Sequence, residues 1–261
     1  MGDLSSVTDP RIERLLLEGP EATPFVELPG GVFSMGTPAG AGGRPDELPV
    51  RLVRVHPFAA ALLPVTNLEY GRFLDATGHG PPGSWDDERF TAPACPVVGV
   101  SWFDAVDYCD WLSQLLGRPC RLPTEAEREY AARGGAEGVA YPWGDEPWTT
   151  GVHGLGSLGA DRPHQVGTSA PNGFGLFHMA DNVHEWCSDW YDPAGYALEV
   201  APAGGIVDDP RGPLEEHPRR ASRGGSWRHL VKVARIAARS SLAPERRYND
   251  YGMRVYAEPR A

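Results

Sequence analysis

Glycine and proline interrupt this chain at short intervals along its whole length, with 32 Gly and 26 Pro among 261 residues, against a usual combined share of about 12%. Glycine gives up the most backbone freedom on ordering, and proline lacks the N–H that helices and central strands need. Long regular elements are therefore disfavoured over most of the chain. The breaks lie among 8 Trp, 9 Tyr and 8 Phe rather than in low-complexity runs. This combination points to irregular but ordered backbone pinned by large aromatic side chains. Hydrophobic residues at 41% and charged residues at 23% are ordinary for a globular chain and exclude a disordered one.

A net charge of −11 argues against nucleic acid, because a phosphate backbone calls for a basic face. The most basic stretch, Arg219 to Arg239, is broken by apolar and small residues. No apolar run approaches the roughly 18 residues that a membrane span requires. Residues 1–10 are polar and acidic, without the basic-then-apolar order of a secretion signal. A cytoplasmic protein is the expectation. Cys95, Cys109, Cys120 and Cys187 include no CxxC pair, so neither a zinc knuckle nor a thioredoxin-type site is indicated. Cys109 falls on an apolar helix face and reads as core.

Residues 9–18 read as a short amphipathic helix in a leader spanning 1–24, ahead of one domain at 25–261. Residues 25–36 alternate and turn at Gly30-Gly31, which predicts a hairpin, and alternation from residue 50 predicts a strand. Thr66-Asn-Leu-Glu69, Ser101-Trp-Phe-Asp104 and Thr124-Glu-Ala-Glu127 each place a capping hydroxyl three residues before a carboxylate. Helices from these starts should end at Gly78, Gly117 and Gly134. Beyond Gly135 only short strands and turns are expected. The fold class is α+β, a few helices on small antiparallel sheets.

Two segments carry groups capable of chemistry. In 170–191, His178, Asp181, Asn182, His184 and Glu185 fall within eight residues of a glycine-punctuated loop. Such groups can converge on a cation or simply hydrogen-bond the loop to itself. In 219–254, Gly224-Gly225 permits close backbone approach, and Ser226, Arg228 and His229 follow at once. Val231, Val233 and Ile236 predict a strand. Arg235 and Arg239 suit either internal salt bridges or a substrate carboxylate, which a guanidinium fork matches.

Nine blocks resemble, in order, the formylglycine-generating-enzyme (sulfatase-modifying-factor) superfamily. They are Gly31-Val-Phe-Ser-Met-Gly36, Pro64-Val-Thr-Asn67, Val98-Gly-Val-Ser-Trp102 with Asp104-Ala-Val-Asp-Tyr-Cys109, and Arg121-Leu-Pro-Thr-Glu-Ala-Glu127. Tyr141-Pro-Trp-Gly-Asp145, Pro171-Asn-Gly-Phe-Gly-Leu176, Asn182-Val-His-Glu-Trp186, Arg223-Gly-Gly-Ser-Trp227 and Gly252-Met-Arg254 complete them. The resemblance covers roughly residues 25–257 and implies a C-type-lectin-like fold, low in regular structure. Function is less constrained, because the superfamily includes copper-dependent maturases, iron-dependent ergothioneine-type sulfoxide synthases, pyoverdine-maturation proteins and lectin-like binding proteins.

Residue by residue, the maturase's two cysteines are missing. His229 stands at about the place of the first, and the stretch from Trp227 to Ala234 holds none, so no thiolate copper site can be built. The 24 residues ahead of the domain are too few for the four-helix bundle that brings iron ligands in the synthases. A calcium site is implied at His178, Asp181, the Val183 carbonyl and Glu185, with His178 standing where an Asn is usual. A second implied calcium site lacks its usual Asn near His153. His184 takes the place of a tryptophan lining the maturase pocket, so the resemblance implies that His184 and His229 share a cavity with Ser226.

The expectation is an oxidoreductase-like enzyme acting on a small molecule or a carrier-bound amino acid. His184, His229 and Ser226 are its candidate catalytic residues, and the histidines bind iron or copper, serve as an acid–base pair, or simply fill the former copper pocket with polar side chains. Arg235, Arg239, Arg246 and Arg247 are candidate carboxylate anchors. The competing readings are a non-catalytic lectin-like domain holding a ligand or protein, and a maturase relative that has lost activity.

Overall fold

The computed structural model describes residues 9–146, 160–198 and 205–260. The leader forms α1 (Pro10–Glu18), capped by the Asp9 carboxylate, and Ile12 and Leu15 are buried with Leu62, Leu63, Val166 and Phe177. α2 (Asn67–Thr77), α3 (Trp102–Leu116) and α4 (Glu125–Arg133) begin at the three expected capping boxes. In each, the cap hydroxyl accepts from the third helical N–H and the carboxylate reaches back to the cap N–H. Two otherwise unpaired donors are satisfied at each start. Gly78, Gly117 and Gly134 end the helices as expected. After Gly135 the described residues add only α5, the four-residue turn Gly195–Leu198.

Three small sheets complete the fold. β1 (Phe25–Leu28), β4 (Phe58–Ala61), β11 (Tyr256–Ala257) and β5 (Cys120–Arg121) form one antiparallel sheet in that order. β2 (Gly31–Met35), β3 (Arg51–Val55) and β7 (Ile206–Asp208) form the second, β3 and β7 being parallel. The third is β10 (Tyr251–Gly252), β6 (His184–Trp190), β8 (Arg220–Arg223) and β9 (Arg239–Leu242), with β10 parallel to β6. Two sheets are thus mixed rather than antiparallel. No helix among the described residues is long and apolar enough to cross a membrane.

Local readings differ at three places. Residues 25–36 are not a hairpin: β1 pairs with β4 and β2 with β3, so the turn at Gly30-Gly31 passes the chain between sheets. The run from residue 50 is two strands parted at His56-Pro57, where proline has no N–H for a ladder. Val231–Val233 is a single 3-10 turn, not a strand. Its apolar spacing fits both, and the valines are only partly buried.

At the start of α4 the Glu125 N–H donates to Asp189 on β6 at 3.0 Å. Burial first, and the neighbouring Glu125 second, push the Asp189 carboxyl up to about 7. A folded value above the unfolded one weakens the native state as pH rises past about 3.8, and the cost is complete above about 7. Asp189→Asn keeps the acceptor without the charge. It should be more stable than the parent at pH 8 by up to about 4 kcal/mol, with the gain gone by pH 4. Urea unfolding at the two pH values measures this, and equal midpoints at pH 8 would refute it.

Candidate functional site

β6 sits at the middle of its sheet, and its first residue, His184, is buried. The His184 N–H donates to the Asp250 carbonyl at 2.9 Å, and Tyr251 lies beside it in register. On the other side β8 runs into Gly224-Gly225. Gly224 has a φ of 84°, and a Cβ on Gly225 would lie 2.5 Å from the Ala180 carbonyl oxygen. Only glycine passes there. The chain then turns back, closed by the His229 N–H on the Ser226 carbonyl at 3.0 Å, and sets His229 over His184.

The result is a four-residue network. His184 Nε2 lies 3.2 Å from His229 Nδ1, and Ser226 Oγ lies 3.1 Å from the same nitrogen. The Ser226 hydroxyl donates to Asp250 Oδ2 at 3.2 Å, which is 3.8 Å from His229 Nε2. Asp250 Oδ1 and His184 Nδ1 are buried without hydrogen bonds, although Arg228 approaches Asp250 Oδ1 at 3.7 Å. Burial, and then the neighbouring His229, push His184 down to about 3. Burial also lowers His229, against the opposing pull of Asp250. The facing nitrogens therefore meet as neutral rings sharing at most one proton.

Both histidines line a cavity of about 570 Å³, against about 290–330 Å³ for four others in the fold. Arg44, Lys232, Arg235, Arg239 and Ser240 contribute to its wall. Behind His184 stands Tyr251, whose ring centroid is 4.9 Å away and whose hydroxyl is 3.1 Å from Ser240 Oγ.

Asp250 was not singled out from the sequence. Its signal was its place in Tyr248-Asn-Asp-Tyr251, directly before the Gly252-Met-Arg254 block, where an acidic residue immediately precedes the strand that pairs with His184.

In this structure the residues implied as calcium ligands make other contacts. The Glu185 carboxylate is fully buried and already accepts from Arg128 Nε at 2.6 Å and from Arg254 at 3.0 and 3.1 Å. A calcium ion bound to it would sit against two guanidiniums. His178 Nε2 accepts the Gly167 N–H at 3.0 Å, which leaves its proton on Nδ1, 3.1 Å from Asp181 Oδ1. Both ring nitrogens are thus used within the loop. The Val183 carbonyl therefore has no ligand set to join. The second implied site, near His153, lies outside the described residues.

The four arginines proposed as carboxylate anchors fall into two groups. Arg235 and Arg239 reach the cavity, but each gives its fork to a carboxylate: Arg235 to Glu47 at 2.6 and 2.7 Å, Arg239 to Glu125 at 2.8 Å twice. Arg247 is bidentate to Asp104 at the start of α3, and exposed Arg246 has only Glu245 at 3.9 Å. Neither Arg246 nor Arg247 lines the cavity. The four cysteines are free thiols, none in the cavity wall, and burial raises Cys187 on β6 and takes Cys95 to about 11.

Comparison with known proteins agrees with this architecture. Residues 17–259 match the family described as "Sulfatase-modifying factor enzyme 1-like domain". The "Formylglycine-generating enzyme" of Thermomonospora curvata is 34% identical, over 90% of this chain and 93% of that protein. The structure of PvdO from Pseudomonas aeruginosa superposes with a TM-score of 0.76 at 30% identity, over 90% of this chain and 94% of the other. Treponema denticola variable protein 1 shares the fold at a TM-score of 0.71 and 22% identity, covering 90% of this chain and 95% of its own. The chain belongs to the formylglycine-generating-enzyme family, with its C-type-lectin-like α+β fold, and presents a histidine pair in its cavity.

Proposed function

We propose that this protein is an oxidoreductase-like member of its family that works without a cysteine pair, through a transition metal held by His184, His229 and Asp250. One observation carries the reading: a ligand atom from each of the three lies within 4.8 Å of the other two. Two imidazoles and one carboxylate form the donor set that suits non-heme iron(II), and iron fits it better than copper. Nitrogens each about 2.0–2.1 Å from one ion would be about 3.0–3.4 Å apart, and the two facing nitrogens are separated by 3.2 Å. Their neutral state leaves lone pairs to offer, so an ion would replace the proton they share.

When bound, the metal would supply one-electron chemistry at the cavity floor. The chain's residues do the positioning. Ser226 holds both His229 and the Asp250 carboxylate, and Tyr251 packs on the His184 ring. The cavity has room for a small molecule or the end of a carrier-bound one.

The test is elemental analysis of protein reconstituted anaerobically with iron(II) or copper. One equivalent is expected in the parent. His184→Ala and His229→Ala should each bind at least about 100-fold more weakly, and Asp250→Asn about 10- to 100-fold more weakly. A His184→Ala/His229→Ala double variant binding as much metal as the parent would overturn the reading.

A further inference from the structure

Among 24 basic residues the chain contains a single lysine, Lys232, and it stands in the wall of the histidine cavity. Four of the eleven wall residues are Lys or Arg and none is acidic, although the chain as a whole carries a net charge of −11. These four cations are not equivalent. Arg235 and Arg239 are each neutralised by a bidentate carboxylate, and their remaining donors go to backbone carbonyls. Lys232 is exposed and has no side-chain partner among the described residues. Arg44 makes only long contacts, 3.5 Å to Asp46 and 3.4 Å to Glu47, both through Nε. Its charge lies near enough to His184 to disfavour protonation of that ring. The least compensated positive charge of the cavity therefore belongs to Lys232, followed by Arg44, whose terminal nitrogens have no partner among the described residues.

A cavity with an unpaired ammonium and a weakly held guanidinium at its wall and two imidazoles at its floor is complementary to a molecule with a negative group at one end. Its volume of about 570 Å³ is within the usual range for small-molecule sites and exceeds what a simple ion fills. We propose that the cavity takes a small organic anion, with its carboxylate or phosphate group held by Lys232 and Arg44. Its reacting end is turned toward His184 and His229. The orientation rests on the metal reading given above, whereas the anion site does not. An ammonium and a guanidinium with unused terminal nitrogens accept either oxyanion, so the two probes must be compared directly.

The lone lysine makes the test specific. Reductive methylation with ¹³C-formaldehyde keeps the positive charge and labels only Lys232 and the N-terminal amine. Lys232→Arg identifies the Lys232 signal by removing it. Titration with inorganic phosphate, and separately with acetate, is run at constant ionic strength with chloride as balance. The Lys232 signal should move saturably with at least one of them, which names the oxyanion, while the N-terminal signal does not saturate. Arg44→Ala should weaken that response about tenfold or more. Shifts that stay linear for both probes and match those of the N-terminal amine would overturn the proposal. Elemental analysis separates the two readings. Lys232→Ala should keep the metal of the parent, and loss of it would show that Lys232 serves the metal centre and refute its assignment to the substrate. If the double histidine variant keeps its metal while the anion response saturates, the metal reading fails and the anion site stands.

Discussion

Glu185→Gln is expected to cost about 3–5 kcal/mol of stability, because it leaves two buried guanidiniums facing each other without their shared counter-charge. Arg128 and Arg254 are both fully buried, and both place nitrogens on the Glu185 carboxylate at 2.6 to 3.2 Å. Burial alone would raise Glu185, but the two arginines hold it below the usual carboxylate range. The arginines are fixed further by the carbonyls of Met179, Ala61 and Phe177 and cannot swing out to water cheaply. For a chain of this size the loss corresponds to a fall of about 10 °C or more in the thermal midpoint. The same experiment tests calcium at this site. In protein freed of transition metal, added calcium should leave the parent midpoint unmoved and should rescue none of the loss in Glu185→Gln. A parent that melts higher with added calcium would restore calcium to this site.

Trp186→Ala should be comparably damaging for a different reason. Trp186 is the largest fully buried side chain on β6, with 0% exposure. Its ring lies 5.1 Å from that of Tyr251, and its indole N–H donates to the Val100 carbonyl at 3.1 Å. Truncation removes the transfer energy of the ring, leaves a cavity and orphans an acceptor, a loss of about 3–5 kcal/mol. Since Tyr251 packs on both Trp186 and His184, the defect should also weaken metal binding. Urea unfolding checks the first effect, and iron(II) titration of the folded variant checks the second. A variant within about 1 kcal/mol of the parent would show that the core refills the space.

The parts of this protein legible in sequence were those written within a few residues of one another. Thr66 and Glu69, Ser101 and Asp104, and Thr124 and Glu127 are each three positions apart, so backbone geometry alone brings them together and the helix starts follow. The missing cysteine pair was equally plain, because the stretch from Trp227 to Ala234 holds no cysteine and no structure is needed to notice that. So was the family, whose blocks occur in order. What sequence left open was which group each long charged side chain meets. Arg235 meets Glu47 across 188 positions, Arg239 meets Glu125 across 114, and Glu185 meets Arg254 across 69. Spacing carries no signal over such distances, and a guanidinium buried by packing takes whichever carboxylate the neighbouring segment brings.

That difference divides the site itself. Sequence, through the family resemblance, implied that His184 and His229 stand at about the places of a maturase's pocket tryptophan and first cysteine, and it showed no cysteine from Trp227 to Ala234. Only the tertiary structure decided that Asp250 joins them, that Glu185 is spent on two arginines, and that the least compensated charge in the cavity is Lys232 with Arg44. Sheet pairing produced the first of these, since parallel β10 begins directly after Asp250 and sets its carbonyl on the His184 N–H. Competition among buried charges produced the other two, because each buried cation must find a partner before the core can close.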